Sequence, residues 1–381
     1  MYRDPPVILP GDFLEDTVTI TTRKAGLSGL AILGASALVL TGCASAPEDD
    51  NPSTDPGATD FLACAVSDDG GFDDKSFNQL SLEGLQAAGV EEKHVESASE
   101  DDYEPNIDRL LDAGCNIIVT VGFKLSAATL LAAKANPDVE FATVDDALDG
   151  NSDGKPDYDN AKPILFNTAE AAFLAGYAAA ATSKTGVVGT FGGIPIPPVT
   201  IFMDGFVDGV AYYNEQNDKS VKAIGWDKAS QNGSFTGGFA AGVEAKTAAQ
   251  NLLDQGADVL LPVGGPIYQS AAEAIREKGG DIALIGVDAD VYNTDASVKD
   301  LLLTSVMKGV DAGVRDTVKA AADGTFDNSP YVGTLENGGV GIAPFHDWES
   351  KVPADLGAAL DDLKAKIIAG DIKVVSAATP K

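Results

Sequence analysis

Histidine, cysteine and positive charge are all scarce in this chain, and each shortage narrows what it can be. Two histidines in 381 residues, His94 and His346, leave no His-rich zinc site and no Ser–His or Cys–His pair for nucleophilic catalysis. Only 26 basic residues stand against 58 acidic ones, and a formal charge of −32 repels nucleic acid and anionic lipid, which excludes a nucleic acid polymer as partner. The acids are spread along the chain rather than blocked, so most of them read as a solvated surface. Residues 26–40 form an apolar run which, with the small residues behind it, spans about 16 residues, short of the roughly 20 a membrane-spanning helix needs.

That run lies behind Arg23 and Lys24 and ends in Leu40-Thr41-Gly42-Cys43, which reads as an export signal with a lipidation cysteine. It resembles the bacterial lipoprotein signal, in which the cysteine thiol is acylated and becomes the mature N-terminus; the competing reading is an ordinary membrane anchor in which Cys43 is incidental. Two acyl chains give stable anchoring where one does not. The expected location is the outer face of the cell membrane, on a lipid leash. Residues 1–22 are acidic and proline-bearing and fit no export signal, which points to a later start, at Val18 if its codon is GTG. After Cys43, ASAPEDDNPSTDPGATD has almost nothing apolar to bury and is expected to be a disordered tether over 44–59. About 320 residues remain, enough for two lobes.

From there apolar strand-like runs alternate with segments of helical period: FLACAVS, then Ser76 to Gly89; CNIIVTVG, then Ser126 to Asn136; VEFATV; TGVVGTF, then Val199 to Gln216; ADVLLPVG, then Ile267 to Lys278; IALIGVD; LLLTSV, then Lys308 to Ala322. Continuous Val, Ile and Leu bounded by Gly or Asp marks strands buried on both faces, hence parallel sheets covered by helices. The alternation occurs once before about Asn167 and once after it, so the expected architecture is α/β, two doubly wound lobes facing one another. Cys64 and Cys115 open or lie in strands that neighbour each other in such a sheet, and either pair or stay as buried thiols.

Ligands of doubly wound sheets meet the carboxyl ends of the strands. Those ends carry Asp68, Gly122, Phe123, Asp145, the pairs Gly192-Gly193 and Gly264-Gly265, Asp288 and Lys308. Carboxylates accept from sugar hydroxyls, an ammonium donates to oxygen, and glycines allow close approach to the backbone. This is a binding inventory without a nucleophile and its base. The plainer reading makes Asp68, Asp145 and Asp288 helix caps.

VSDDGGFDDKSFNQLSLEGL, followed in order by VTVGF, FNTAEAAFLAGYAAA, VGTFGG, FMDGFVDGV, GSF, GADVLLPVGG, IGVDAD and TSVMKGV, resembles the basic membrane protein family of lipoproteins, the nucleoside-binding subunits of ABC importers related to the purine nucleoside receptor. The resemblance covers nearly everything from Phe61 to about Ala322. It implies a type I periplasmic binding protein fold, two Rossmann-like lobes joined by three crossovers with the ligand in the cleft. The lobes are then expected over 60–167 plus 307–330 and over 168–306 plus 331–381. It further implies that Phe77 and Phe235 sandwich a purine, that Asp288 and Lys308 hold the ribose, and that Asp68, Asn78, Asp145 and the backbone amide of Gly264 or Gly265 are further partners. A core position for either phenylalanine is the plainer alternative. Val291 stands where the family commonly has Gln, and VGGPIYQS lacks a usual glycine, which leaves the ligand's identity within the class open.

One insertion has its own motif. Asp149, Asn151 and Asp153 with Gly154, Lys155 and Asp157 match the opening of a calcium loop, but Asn160 stands where a bidentate Glu is needed, so either a structural calcium or an acidic surface turn fits. No cofactor is otherwise required. The expected function is a lipid-anchored, monomeric solute-binding protein that captures a nucleoside and delivers it to an ABC permease, not an enzyme; a sugar or other small-molecule receptor of the same fold and a carboxylate-based nucleoside hydrolase are the alternatives.

Overall fold

The computed structural model describes residues 61–380; Cys43, the export signal and the tether lie outside them. The chain first forms β1 (Leu62–Val66), α1 (Phe77–Ala87), β2 (Glu91–Val95), α2 (Tyr103–Asp112), β3 (Ile117–Val121), α3 (Ser126–Ala135), β4 (Glu140–Val144) and β5 (Ala161–Phe166). It then crosses to a second sheet through α4 (Thr168–Thr182), β6 (Val187–Gly192), α5 (Pro197–Asn217), β7 (Lys222–Ile224), the small pair β8 (Trp226–Asp227) and β9 (Asn232–Gly233), and α6 (Val243–Asp254). β10 (Val259–Val263), α7 (Ile267–Lys278), β11 (Ala283–Asp288), α8 (Val291–Thr294) and β12 (Leu302–Lys308) complete that half. The chain returns with α9 (Val310–Ala322) and β13 (Tyr331–Gly333), and crosses once more to β14 (Val340–Ile342) and α10 (Leu356–Ile368).

The first sheet has the order β13-β5-β4-β3-β1-β2 and the second β14-β12-β11-β10-β6-β7, the same winding twice. Within these two sheets every pairing is parallel except that of β14 with β12. IIVTV of β3 and VLLPV of β10 are buried at every position, because helices cover both faces of each sheet. β2, EEKHV, is an edge strand that pairs only with β1 and is largely exposed, so it carries no apolar run for a sequence reading to find.

β13 corrects the expected boundary between the lobes. Tyr331–Gly333 runs parallel beside β5 in the first sheet, and Tyr331 packs edge-on against Phe166 with ring centroids 5.9 Å apart. The first lobe therefore extends through Gly333 rather than ending at 330, while Met307 and Lys308 complete β12 of the second. A three-residue edge strand is too short to announce itself by pattern.

α4 is buried nearly all round and lies directly on α5. A methyl group at Gly176, Gly205 or Gly209 would run into the backbone of Phe206, Ala169 or Phe173, so these glycines set how close the two helices come. α5 begins on Pro197 and Pro198, where a missing N–H leaves nothing unsatisfied. In the first sheet Cys64 and Cys115 form a disulfide between the neighbouring β1 and the start of β3, their Cα atoms 6.0 Å apart. No helix among the described residues is long and apolar enough to cross a membrane.

Candidate ligand-binding site

The carboxyl ends of both sheets open onto one solvent-accessible cleft between the lobes. From the first lobe, Asp68 follows β1 and accepts hydrogen bonds from the Gly70 N–H (2.9 Å) and the Asn78 amide (2.8 Å). Asp74, not Asp68, caps α1: its oxygens accept from the N–H groups of Ser76, Asn78 and Gln79 at 3.0, 2.9 and 3.1 Å. Asp68 is thus left with one oxygen facing Gly122 across the cleft wall. A Cβ at Gly122 would sit 3.2 Å from that oxygen, and its φ of 107° is one that side-chain-bearing residues avoid, so the close approach requires glycine.

Asp145 follows β4 and Asp288 ends β11, the corresponding strands of the two sheets. Both hold left-handed backbone, φ 65° and 66°, a strained conformation that is retained where the surroundings demand it. Both carboxylates meet Lys308 at the end of β12. Its ammonium reaches Asp145 Oδ2 at 2.5 Å and Asp288 Oδ1 at 3.4 Å, and stands 5.3 Å from the centre of the Phe77 ring and 5.1 Å from that of Phe202. All three charged groups are almost fully buried. Ser76 of the first lobe donates to the Val287 carbonyl at 3.0 Å, so strand ends of both lobes are tied at this point.

Burial pushes the Asp68 carboxyl up to about 6. It also raises Asp74, Asp145 and Asp288 above the ordinary carboxylate range. Burial works against the Lys308 ammonium too, but the two carboxylates beside it outweigh that and hold it charged. The buried cluster thus contains more carboxylate than ammonium, a good set of acceptors for hydroxyl and N–H groups.

Asp68, Phe77, Asn78, Asp145, Gly265, Asp288 and Lys308 line this one cleft together. Phe235 does not. Its ring meets Trp226 edge-on at 5.9 Å and packs over Gly192, and the aromatic of that segment in the cleft is Phe239, four residues later. Phe239 lies against Gly193 and Gly264, with the Lys124 ammonium 5.8 Å from its ring centre. Lys124, itself paired with Asp69 at 3.1 Å, and Phe202 were not singled out from sequence; Phe202 sits in an apolar helix and has no local mark, whereas Phe239 is one more aromatic in the same polar loop as Phe235.

The 149–157 insertion is hydrogen-bonded largely within itself. Its oxygens serve the loop itself: Asp149 accepts from the N–H groups of Asp153 (3.0 Å) and Gly154 (2.8 Å), Asn151 from that of Asp153 (2.9 Å), Asp153 from that of Lys155 (3.0 Å), and Asp157 from the Asn151 amide (2.7 Å). Among the described residues no group of three or more acidic, His or Cys side chains is arranged to hold a metal ion. The lining of the main cleft contains no histidine, cysteine or serine among the described residues; its ionisable groups are carboxylates and lysines.

Comparison with known proteins agrees with this geometry. Residues 61–377 match the family model for the PnrA-like ABC transporter substrate-binding proteins. The chain is 31% identical over 366 residues to a CD4+ T-cell-stimulating antigen of Listeria innocua, covering 91% of this chain and 96% of that protein. It is 30% identical to the ABC transporter nucleoside-binding protein BmpA of Lactococcus lactis, covering 93% and 99% of the two. Among solved structures, an ABC transporter solute-binding protein of Aeropyrum pernix superposes with a TM-score of 0.72 at 26% identity, over 84% of this chain and 94% of that one. With two doubly wound lobes, a cleft of buried carboxylates around one lysine, and relatives matched over nearly their full length, the chain belongs to the PnrA-like family of ABC transporter substrate-binding proteins.

Proposed function

We propose that this protein captures a purine nucleoside in the cleft between its lobes and presents it to an ABC permease, while Cys43 carries the lipid that holds it on the outer face of the cell membrane. The reading rests on one observation above the others: Lys308, Asp145 and Asp288 form a buried donor and acceptor set directly beside the Phe77 ring. A ribose offers hydroxyls that both donate and accept, and a base offers a planar face. The aromatic ring takes the base and the charged triad takes the sugar. Binding and release, without chemistry on the ligand, is the whole activity we assign. The name of the Lactococcus lactis relative supports a nucleoside, and Asp68, which lines the cleft beside Phe77, is the acceptor we assign to the base.

Calorimetry of the purified protein against adenosine, inosine, guanosine, uridine, adenine and ribose tests this. Purine nucleosides bind; adenine and ribose bind much more weakly. Replacing Asp288 by Ala costs about 1.5–3 kcal/mol for adenosine and far less for adenine, since only hydroxyl partners are lost. Equal losses for the two would remove Asp288 from the sugar, and tight ribose binding with no nucleoside binding would make this a sugar receptor.

A further inference from the structure

The nucleoside cleft does not end at the triad. Past Asp145 and Lys308 it continues into a second, solvent-open space that shares Phe123, Pro198, Asp145 and Lys308 with the first. Its walls come from both lobes. Leu165 and Phe166 at the end of β5 face Pro197, Ile201 and the C-terminal segment around Ala377 and Ala378. That segment is held to the second lobe by Ser376, whose hydroxyl donates to the buried Asp204 at 2.7 Å, so it is a fixed wall. Thr168, the first residue of α4, also stands on the wall, buried and with its hydroxyl unpaired within the protein.

The charges along this second space are Asp145, Asp146 and Asp149 against Lys155 and a Lys308 already occupied by two carboxylates. Resting on the nucleoside reading above, we infer that the cleft takes nucleosides enlarged at the 5′ carbon by an uncharged, largely apolar group, and turns away those that carry phosphate there. With the base on Phe77 and the vicinal hydroxyls on Asp288 and Lys308, the free end of the sugar is the 5′ carbon, and it faces Asp145 and the space beyond. Proline, leucine and phenylalanine walls gain from an apolar substituent. A phosphate dianion would face Asp145, Asp146 and Asp149, with the exposed Lys155 as the one lining cation not already paired, and this excess of negative charge costs binding strongly.

The test is calorimetry on the full-length protein with adenosine, 5′-deoxy-5′-methylthioadenosine and adenosine 5′-monophosphate. The methylthio compound binds within about threefold of adenosine or more tightly, and the monophosphate at least about a hundredfold more weakly. Filling the second space with Ala377→Trp or Ala378→Trp leaves adenosine affinity in place and weakens the methylthio compound about tenfold or more. Two variants are used because Ala378 is partly buried whereas Ala377 is exposed, and retained adenosine binding shows that each has folded. Adenosine binding with the methylthio compound excluded, or equal losses of both in the tryptophan variants, overturns the inference and leaves the nucleoside reading standing. Failure of every nucleoside to bind overturns both.

Discussion

At the end of β1 the first lobe places Asp68, Asn78 and Phe77; at the end of β6, the matching position in the second sheet, stand Gly192 and Gly193 with Phe239 laid against the latter. The ends of β3 and β10 are both glycine, Gly122 and Gly264, and the ends of β4 and β11 are both aspartate with left-handed backbone. One winding, used twice, has therefore kept its central acceptors and diverged beside them. Beside those acceptors the first lobe lines the cleft with Asp68, Asn78 and Phe77, the second with bare backbone and Phe239. The lysine that joins the two aspartates has no counterpart at the end of β5, where the first lobe has Phe166. The shared winding brings matching strand ends together, and the differences between those ends decide what is bound.

Removing the lysine should break this arrangement most severely. Lys308→Met leaves two buried carboxylates without their cation, which should cost about 3–5 kcal/mol of stability and abolish measurable nucleoside binding. Lys308→Arg, which keeps the charge, should recover much of the stability and little of the affinity, because a planar fork does not fit where a compact ammonium sat. An unchanged melting temperature and unchanged affinity in Lys308→Met would show that the ion pairs contribute to neither.

The lobes also differ in how they are fastened. Only the first carries a disulfide among the described residues, and Cys64–Cys115 spans 51 positions. Replacing both cysteines by alanine should lower stability by about 2–4 kcal/mol while leaving nucleoside affinity unchanged, since the bond lies at the opposite end of β3 from the ligand. Identical urea midpoints with and without reductant would remove the bond from the stability of the fold.

Much of this was legible beforehand, for definite reasons. Strands such as CNIIVTVG and ADVLLPVG are buried on both faces, so their composition alone marks them, and ligands of such sheets lie at strand ends, which is why Asp145, Asp288 and Lys308 were found. What escaped was of two kinds. Edge strands such as β2 and β13 need no apolar run, because one side meets solvent or they are only a few residues long. Residues that reach the cleft from a loop by tertiary placement alone, Phe239 and Lys124, have no periodicity to betray them. Likewise, Asp149 to Asp157 has the letters of a metal loop, but letters do not say which of its oxygens accept from N–H groups of the loop itself.

Asp68 gives the comparison a pH test, because the second lobe has no acid at the matching place. Burial holds its carboxyl at about 6, whereas in the unfolded chain it titrates at its ordinary value near 4. The folded state therefore binds this proton more tightly. Above about pH 6 the buried charge lowers stability, and as pH falls from about 6 to about 4 that cost is relieved, on the order of 2–3 kcal/mol at most. Asp68→Asn should accordingly be more stable than the parent near pH 7.5 and lose most of that advantage near pH 4.5. Asp74, Asp145 and Asp288 are shifted the same way and leave a residual slope in the variant. Urea titrations across that range read the difference, and parallel pH profiles for the two proteins would mean that Asp68 titrates normally.

The smallest effects, and the ones that most sharpen the contrast between the lobes, are those of the aromatics. Phe77 from the first lobe and Phe239 from the second both line the cleft, so Phe77→Ala and Phe239→Ala should each weaken adenosine by about 1–3 kcal/mol, the usual worth of a ring under a base, with little change in melting temperature. Phe235 is packed on Trp226 and Gly192, and a methyl on Gly192 would already crowd it at 3.0 Å. Phe235→Ala should therefore lower stability and spare affinity. The opposite pattern, affinity lost with Phe235 and kept without Phe239, would mean that residues 234–242 rearrange when the ligand enters and that Phe239 holds the place the base will take. Adenosine titrations of the three variants, each paired with a thermal melt, separate those outcomes directly.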